Sequence, residues 1–242
     1  MFQKIKNFNR LIRANNELLT ANNSLLRELE WAHIFHDSIK GKKPLENLSL
    51  NVGRWAGNYS FFYILNRILF DYDINKILEF GLGESSKFIS TYIDNYDKEC
   101  EHLIIEQDEN WKEVFLSKFS LSNQCEVQVL DMIEKEVYGY ITNSYKNLDK
   151  VTSKYDLYIV DGPFGSKRYS RNDIITLAQK FDPNDEFIIL IDDHQRQGER
   201  DTSGELLKML KAKKIPIFKN TFRGNKEVLL IATKKYKYAT SI

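Results

Sequence analysis

Residues 76–86 read Lys-Ile-Leu-Glu-Phe-Gly-Leu-Gly-Glu-Ser-Ser, an apolar run ending in an acid, two glycines and a pair of hydroxyls. This is the pattern of a strand, a tight turn and a helix N-terminus, a local geometry suited to nucleotide-like ligands. A second acid, Glu106, closes the next apolar run. Two such strand ends make a pocket for a ribose-bearing cofactor. A dinucleotide fits less well. Ser86 stands where a third glycine would let a pyrophosphate-binding helix pack closely, and Glu84 would repel the phosphates.

The same alternation continues along the chain. Apolar runs predict strands at 76–80, 102–106, 126–130, 156–161 and 187–192. Helical periods fall at 59–70, 85–97, 108–120, 169–181 and 200–212. Strands alternating with helices predict an α/β fold with a parallel sheet covered on both faces. The end differs: strand-like runs at 215–222 and 227–233 are joined only by Arg223-Gly224-Asn225-Lys226, so they must pair antiparallel. The segment 132–154 is less regular and reads as an insertion beside the site or a long helical crossover.

The first forty residues stand apart. Ile5, Ile12, Leu19 and Leu26 recur every seven residues, as do Phe8, Asn15, Asn22 and Leu29, and Leu11, Leu18 and Leu25 widen the stripe. Such heptads predict a coiled-coil helix over 1–40 that brings copies of the chain together, with Asn15 and Asn22 setting register. The rival readings are an amphipathic helix folded back on its own domain, or one lying on a membrane with Lys4, Lys6, Arg10 and Arg13 toward headgroups. Residues 41–242 form the α/β domain, entered through a linker at 41–50.

A net charge of +1 gives no field to gather nucleic acid. The locally basic stretch from Lys208 to Lys237 reads as a solvated helix face and a charged edge strand, or as a surface for an anionic substrate or membrane headgroups. Two cysteines make no disulfide framework, and no run is long enough to span a membrane, so a cytoplasmic protein is expected.

Glu79-x-Gly81-x-Gly83, Glu106, Asp131 after the third strand, Asp161 after the fourth and the terminal hairpin occur in one order over residues 52–235. Together they resemble the class I S-adenosylmethionine-dependent methyltransferases, whose Rossmann-like, seven-stranded, mostly parallel sheet carries an antiparallel last strand. The resemblance implies S-adenosylmethionine as cofactor. It implies that Gly81, Gly83 and Ser85 form the cofactor turn and that Glu79 serves the methionine end. Glu106 would take the ribose hydroxyls, Gln107 would lie beside the adenine, and Asp131 and Met132 would contact its edge and face.

A second constellation is Asp161-Gly162-Pro163 and Asp192-Asp193-His194-Gln195-Arg196. The three aspartates should emerge at the carboxyl edge of the sheet, where ligands bind in open α/β folds. They would repel one another unless something positive joined them. A divalent cation held by Asp161, Asp192 and Asp193 is one answer. Asp161 or His194 as a metal-free general base is another, with Arg196 neutralising a neighbour or gripping a substrate carboxylate. A structural salt-bridge network is the third. The pattern is similar to metal-dependent O-methyltransferases, although Asn commonly fills the place of Asp193 there. It looks more like methyltransferases acting on glycans, including the glucuronoxylan-methylating type. The resemblance thus implies an oxygen acceptor, a hydroxyl of a sugar or other small molecule or glycan.

Two other function classes compete: a non-catalytic coiled-coil scaffold, and a nicotinamide-dependent oxidoreductase, which predicts a sheet edge without the final hairpin. Trp55, Tyr59, Tyr138, Tyr140 and Tyr145 are expected in the core, with sugar stacking as the alternative. His102 is expected to be structural, and His33 and His36 to pack on the helix seam.

Overall fold

The computed structural model describes residues 2–53 and 55–241. Helices α1 (Phe2–Ser38), α2 (Lys43–Glu46) and α3 (Tyr59–Asp71) precede the alternating part. There β1 (Lys76–Phe80), α4 (Glu84–Tyr96), β2 (Glu101–Glu106), α5 (Glu109–Leu116) and β3 (Cys125–Val129) follow in turn. A small hairpin, β4 (Met132–Val137) and β5 (Tyr140–Tyr145), leads to β6 (Leu157–Val160), α6 (Asp173–Ala178), β7 (Ile188–Ile191) and α7 (Gln197–Ala212). The chain closes with β8 (Phe218–Arg223) and β9 (Glu227–Ala232).

Seven strands form one sheet in the order β3-β2-β1-β6-β7-β9-β8. The first five are parallel, and β9 runs antiparallel to both β7 and β8. This is the sheet that the resemblance implied, and it lacks the uniform edge required by the nicotinamide reading.

Alternate residues of each strand serve opposite faces. Ile77, Leu157, Ile159, Ile188 and Leu190 pack under α3, α4 and the end of α1. Leu78, Phe80, Tyr158, Val160, Ile189 and Ile191 pack under α6 and α7. Each such side chain is buried almost completely, which contributes roughly 1.5–3 kcal/mol apiece.

Register decides what reaches the edge. Phe80 pairs with Ile105 on one side and Val160 on the other, and Val160 pairs with Ile191. The next residues, Glu106, Gly81, Asp161 and Asp192, therefore stand in one row.

Several local expectations fail. The helix expected over 169–181 is only Asp173–Ala178, because Tyr169 and Arg171 take left-handed backbone angles of φ 49° and 56°. The irregular segment 132–154 holds the β4–β5 hairpin and no helical crossover. The 41–50 linker contains α2, whose Leu45 is buried. Trp55, Tyr138 and Tyr140 are exposed at 94%, 70% and 43%, so the expected core placement holds only for Tyr145 and, in part, Tyr59. No described helix is long and apolar enough to cross a membrane.

Helix α1 is split in use. Its last turns dock, with Phe35 in the core and the Trp31 indole donating to the Arg223 carbonyl at 2.9 Å. Residues 5–23 are exposed throughout. The side chain of Lys4 lies outside the described residues.

Candidate active site

The turn after β1 is built by two glycines with different tasks. Gly81 has φ +97°, a left-handed angle that favours glycine, and a Cβ there would come within 3.6 Å of the Asp161–Gly162 backbone. At Gly83 an added Cβ would meet nothing within 4 Å, so the turn opens to space. The Gly83 N–H donates to Ser86 Oγ at 3.0 Å and begins α4.

Beneath the turn lies Glu79, expected to serve the methionine end. Glu79 is fully buried, with Ser85 Oγ and Ser86 Oγ donating to its two oxygens and His102 Nε2 3.0 Å away. Its side chain falls on the α4 face of β1, where those hydroxyls are the nearest donors. Glu79 and Ser85 therefore brace the turn from inside.

Glu106 is likewise less open than expected, at 2% exposure. One oxygen accepts the Leu82 N–H at 2.8 Å, and the other accepts those of Gln107 and Asp108 at 2.7 and 3.0 Å. Burial, opposed by these donors, raises its pKa. The carboxylate clamps the glycine turn to the end of β2, and a ribose would reach it by taking the place of the Leu82 N–H.

Tyr145 closes the crevice floor. Its ring stacks on Phe80 at 5.6 Å, and its hydroxyl lies 3.2 Å from both the Ile105 carbonyl and the Gln107 side-chain oxygen. Burial, aided by the charge of Glu106, pushes its phenol far above the usual range. Gln107 thus faces Tyr145. Asp131, between β3 and β4, and Met132, the first residue of β4, are open to solvent.

Asp161, Asp192 and Asp193 do converge, each offering an oxygen within 4.8 Å of the others. The protein supplies its own positive charge. Arg171 Nη2 lies 2.9 Å from Asp161 and 3.1 Å from Asp193. Lys226 Nζ lies 3.4 Å from Asp192 and 3.3 Å from Asp193, and Arg196 Nη1 lies 3.0 Å from Asp193. Glu199, almost wholly buried, approaches Arg171 Nε at 3.6 Å.

A divalent ion fits this set poorly. It would compete with the Arg171 guanidinium and the Lys226 ammonium, which already pair with all three carboxylates and leave Asp192 Oδ1 buried without a partner. The repulsion that called for a metal is already answered.

The electrostatics separate the three acids. Burial pushes Asp161 up to about 8, against the pull of Arg171 and with the help of Asp192. Burial also raises Asp192, against Lys226. Asp193 feels burial too, but Arg171, Lys226 and Arg196 together hold it below the usual range. Asp161 keeps 22% of its side chain exposed, against 0% and 4% for Asp192 and Asp193. It is the most exposed of the three.

His194 is removed from this role. Its Nε2 lies 3.0 Å from Ser203 Oγ and its Nδ1 lies 3.8 Å from Glu227, so it faces α7 and β9. Burial, partly opposed by Glu227, lowers its pKa. It borders a separate basic cleft of about 610 Å³ formed with Arg200, Lys219 and Arg223.

Arg171, Lys226 and Glu199 were not singled out from the sequence. Lys226 was visible as the last residue of the hairpin turn, and only the placement of β9 beside β7 carries it to Asp192. The β4–β5 hairpin is tied to the loop that follows Asp161. Asn143 binds the Phe164 carbonyl at 2.9 Å through its side chain and Ser166 Oγ at 2.9 Å through its backbone N–H. Phe164 of that loop and Tyr138 and Tyr140 of the hairpin are exposed; the Tyr138 hydroxyl donates to Glu205 on α7 at 3.1 Å, and Arg168 lies 4.6 Å over the Tyr140 ring.

No protein-family model and no curated protein matches this sequence. Among solved structures, the chain is similar to an O-methyltransferase from Bacillus cereus in complex with SAH, at 14% identity and a TM-score of 0.48 over 84% of this chain and 91% of that one. It is also similar to a methyltransferase from Geobacter sulfurreducens, at 14% identity and a TM-score of 0.47 over 84% and 88%. A third is the O-methyltransferase TomG from Streptomyces achromogenes in complex with SAM, at 17% identity and a TM-score of 0.45 over 70% and 76%.

Proposed function

We propose that this chain is an S-adenosylmethionine-dependent methyltransferase that acts on an oxygen acceptor, a hydroxyl of a sugar or glycan. The observation that carries the reading is the row Glu106, Gly81, Asp161, Asp192. It sets an open glycine turn beside an acid able to take a proton.

The residues fit the cofactor at the turn and at the end of β3. Gly81 and Gly83 would admit it, Glu106 would hold its ribose after releasing Leu82, and Asp131 and Met132 would border its base. When bound, the cofactor supplies an activated methyl group on a sulfonium centre. The chain's own task is to fix the acceptor oxygen and remove its proton. Asp161 does the latter, and a pKa near the working pH suits a general base. Arg171 holds the Asp161 carboxylate in place, and that carboxylate's own burial, helped by the charge of Asp192, keeps it basic.

The exposed rings of Phe164, Tyr138 and Tyr140 support a sugar acceptor, since flat apolar rings with a polar tip stack on sugar faces. Calorimetry with S-adenosylmethionine tests the cofactor link. Mass-spectrometric detection of a methylated product from a sugar panel tests the acceptor. Asp161→Asn should lower turnover about 10²–10⁴-fold while cofactor binding persists. No cofactor heat at millimolar concentration would overturn the reading.

A further inference from the structure

The apolar stripe of α1 is not used by the chain's own domain. The helix docks through Ser24, Glu28, Trp31 and Phe35, which reach Gly224, Asn58, Arg223 and the core. With Ile5 as a first heptad position, these residues occupy third and sixth positions. The first, fourth and seventh positions point elsewhere: Leu25, Leu26 and Leu29, beside the docked residues, are 62%, 63% and 56% exposed. The seam is left free even where the helix is attached.

Charge obeys the same division. Lys6, Arg10, Arg13, Glu17, Arg27 and Glu28 all stand at second, third or sixth positions. Three consecutive seven-residue stretches, Asn9–Asn15, Asn16–Asn22 and Asn23–Leu29, are near copies, each with Asn at the fifth heptad position, Leu at the seventh and Ile or Leu at the next first position. A straight α-helix drifts about 20° per heptad against a strict seven-residue repeat, so keeping this stripe continuous requires winding around other helices. A flat membrane surface imposes no such period.

We propose that residues 5–29 join the same segment of other copies in a parallel, in-register coiled coil of three or more helices. Orientation follows from the asparagines. In a parallel coil, fourth positions face their own copies, so Asn15 meets Asn15 and Asn22 meets Asn22, each amide offering donor and acceptor. An antiparallel coil sets fourth positions against first ones and leaves both amides unpaired against Ile12, Leu19 or Leu26. Strand number follows from Leu11, Leu18 and Leu25. A two-helix seam covers the first and fourth positions, whereas a seventh-position leucine in every heptad belongs to the wider face of a bundle. The α/β domains then sit together at one end of the bundle.

The full-length chain in sedimentation equilibrium should show at least three times its 28.5 kDa mass. One or two times that mass overturns the proposal, as does a single chain that binds anionic vesicles. The double variant Leu18→Glu, Leu19→Glu should fall at least three-fold in mass, to a single chain. Its near-ultraviolet dichroism should not change, because both side chains lie free of the domain. An unchanged mass overturns the seam. Mild oxidation of Asn22→Cys should link copies of the chain, while Glu17→Cys, at a sixth position, should not. Failure of the first, or equal linking of both, overturns the parallel register.

Discussion

The Arg171 guanidinium touches Asp161 at 2.9 Å and Asp193 at 3.1 Å, so one buried cation ties the ends of β6 and β7 together. Activity should follow the ionised form of Asp161 and fall as pH drops through its raised pKa, near 8. Arg171 opposes that rise. Arg171→Met should therefore move the acidic limb of the pH–rate profile to higher pH by about a unit or more. It should also destabilise the fold by about 3–5 kcal/mol, because buried carboxylates lose their partner. Arg171→Lys, which keeps the charge, should restore most of the pH profile. An unmoved limb in Arg171→Met would exclude Asp161 as the titrating base.

Gly162 is a steric requirement of the crevice floor. A Cβ there would lie 2.5 Å from Tyr145 Oη and 3.0 Å from the Gly81 nitrogen. Gly162→Ala should cost about 1–3 kcal/mol by overpacking. Adding Tyr145→Phe should recover part of that loss, since the backbone contact with Gly81 remains. Chemical denaturation of the two single variants and the double measures the coupling, and strict additivity would refute the contact.

Asp173 holds the β4–β5 hairpin, accepting from Ser144 Oγ at 2.8 Å and the Tyr145 N–H at 3.0 Å. Burial, against those two donors, raises its pKa from 3.8 to about 6. A raised folded-state pKa favours the protonated form. The stabilisation is complete below pH 3.8 and is lost as pH rises through about 6. Wild type should thus gain about 2–3 kcal/mol over Asp173→Asn between pH 7 and pH 4. A constant difference across that range would show that Asp173 keeps its ordinary pKa.

Glu106 joins three backbone N–H groups at the junction of the glycine turn and α5. Glu106→Ala strands all three and should cost about 3 kcal/mol. Glu106→Gln keeps an acceptor and should cost less. Both should weaken S-adenosylmethionine binding at least tenfold by calorimetry. Full affinity in Glu106→Gln would place the ribose elsewhere.

The row at the sheet edge was legible because it rests on local signals. Gly81, Glu106, Asp161 and Asp192 each follow an apolar run, and strands that alternate with helices bring such ends to one side. What Glu79 and Glu106 touch was not legible. Whether an acid lines a crevice or turns inward depends on donors such as Ser86 Oγ, His102 Nε2 and the Leu82 N–H, which lie elsewhere in the chain. The exposed Trp55 and Tyr140 were misplaced for a similar reason: an aromatic residue looks like core until its neighbours are known.

Periodicity and strand-end chemistry, which depend only on neighbours in the chain, determined the α/β class, the terminal hairpin and the seven-residue stripe of the first helix. The tertiary structure alone decided that Arg171 and Lys226 neutralise the aspartates. The contact between Lys226 and Asp192 spans 34 residues and exists only because β9 returns beside β7. Charge pairing in a buried cluster is set by distances of a few ångströms, and no local pattern encodes them.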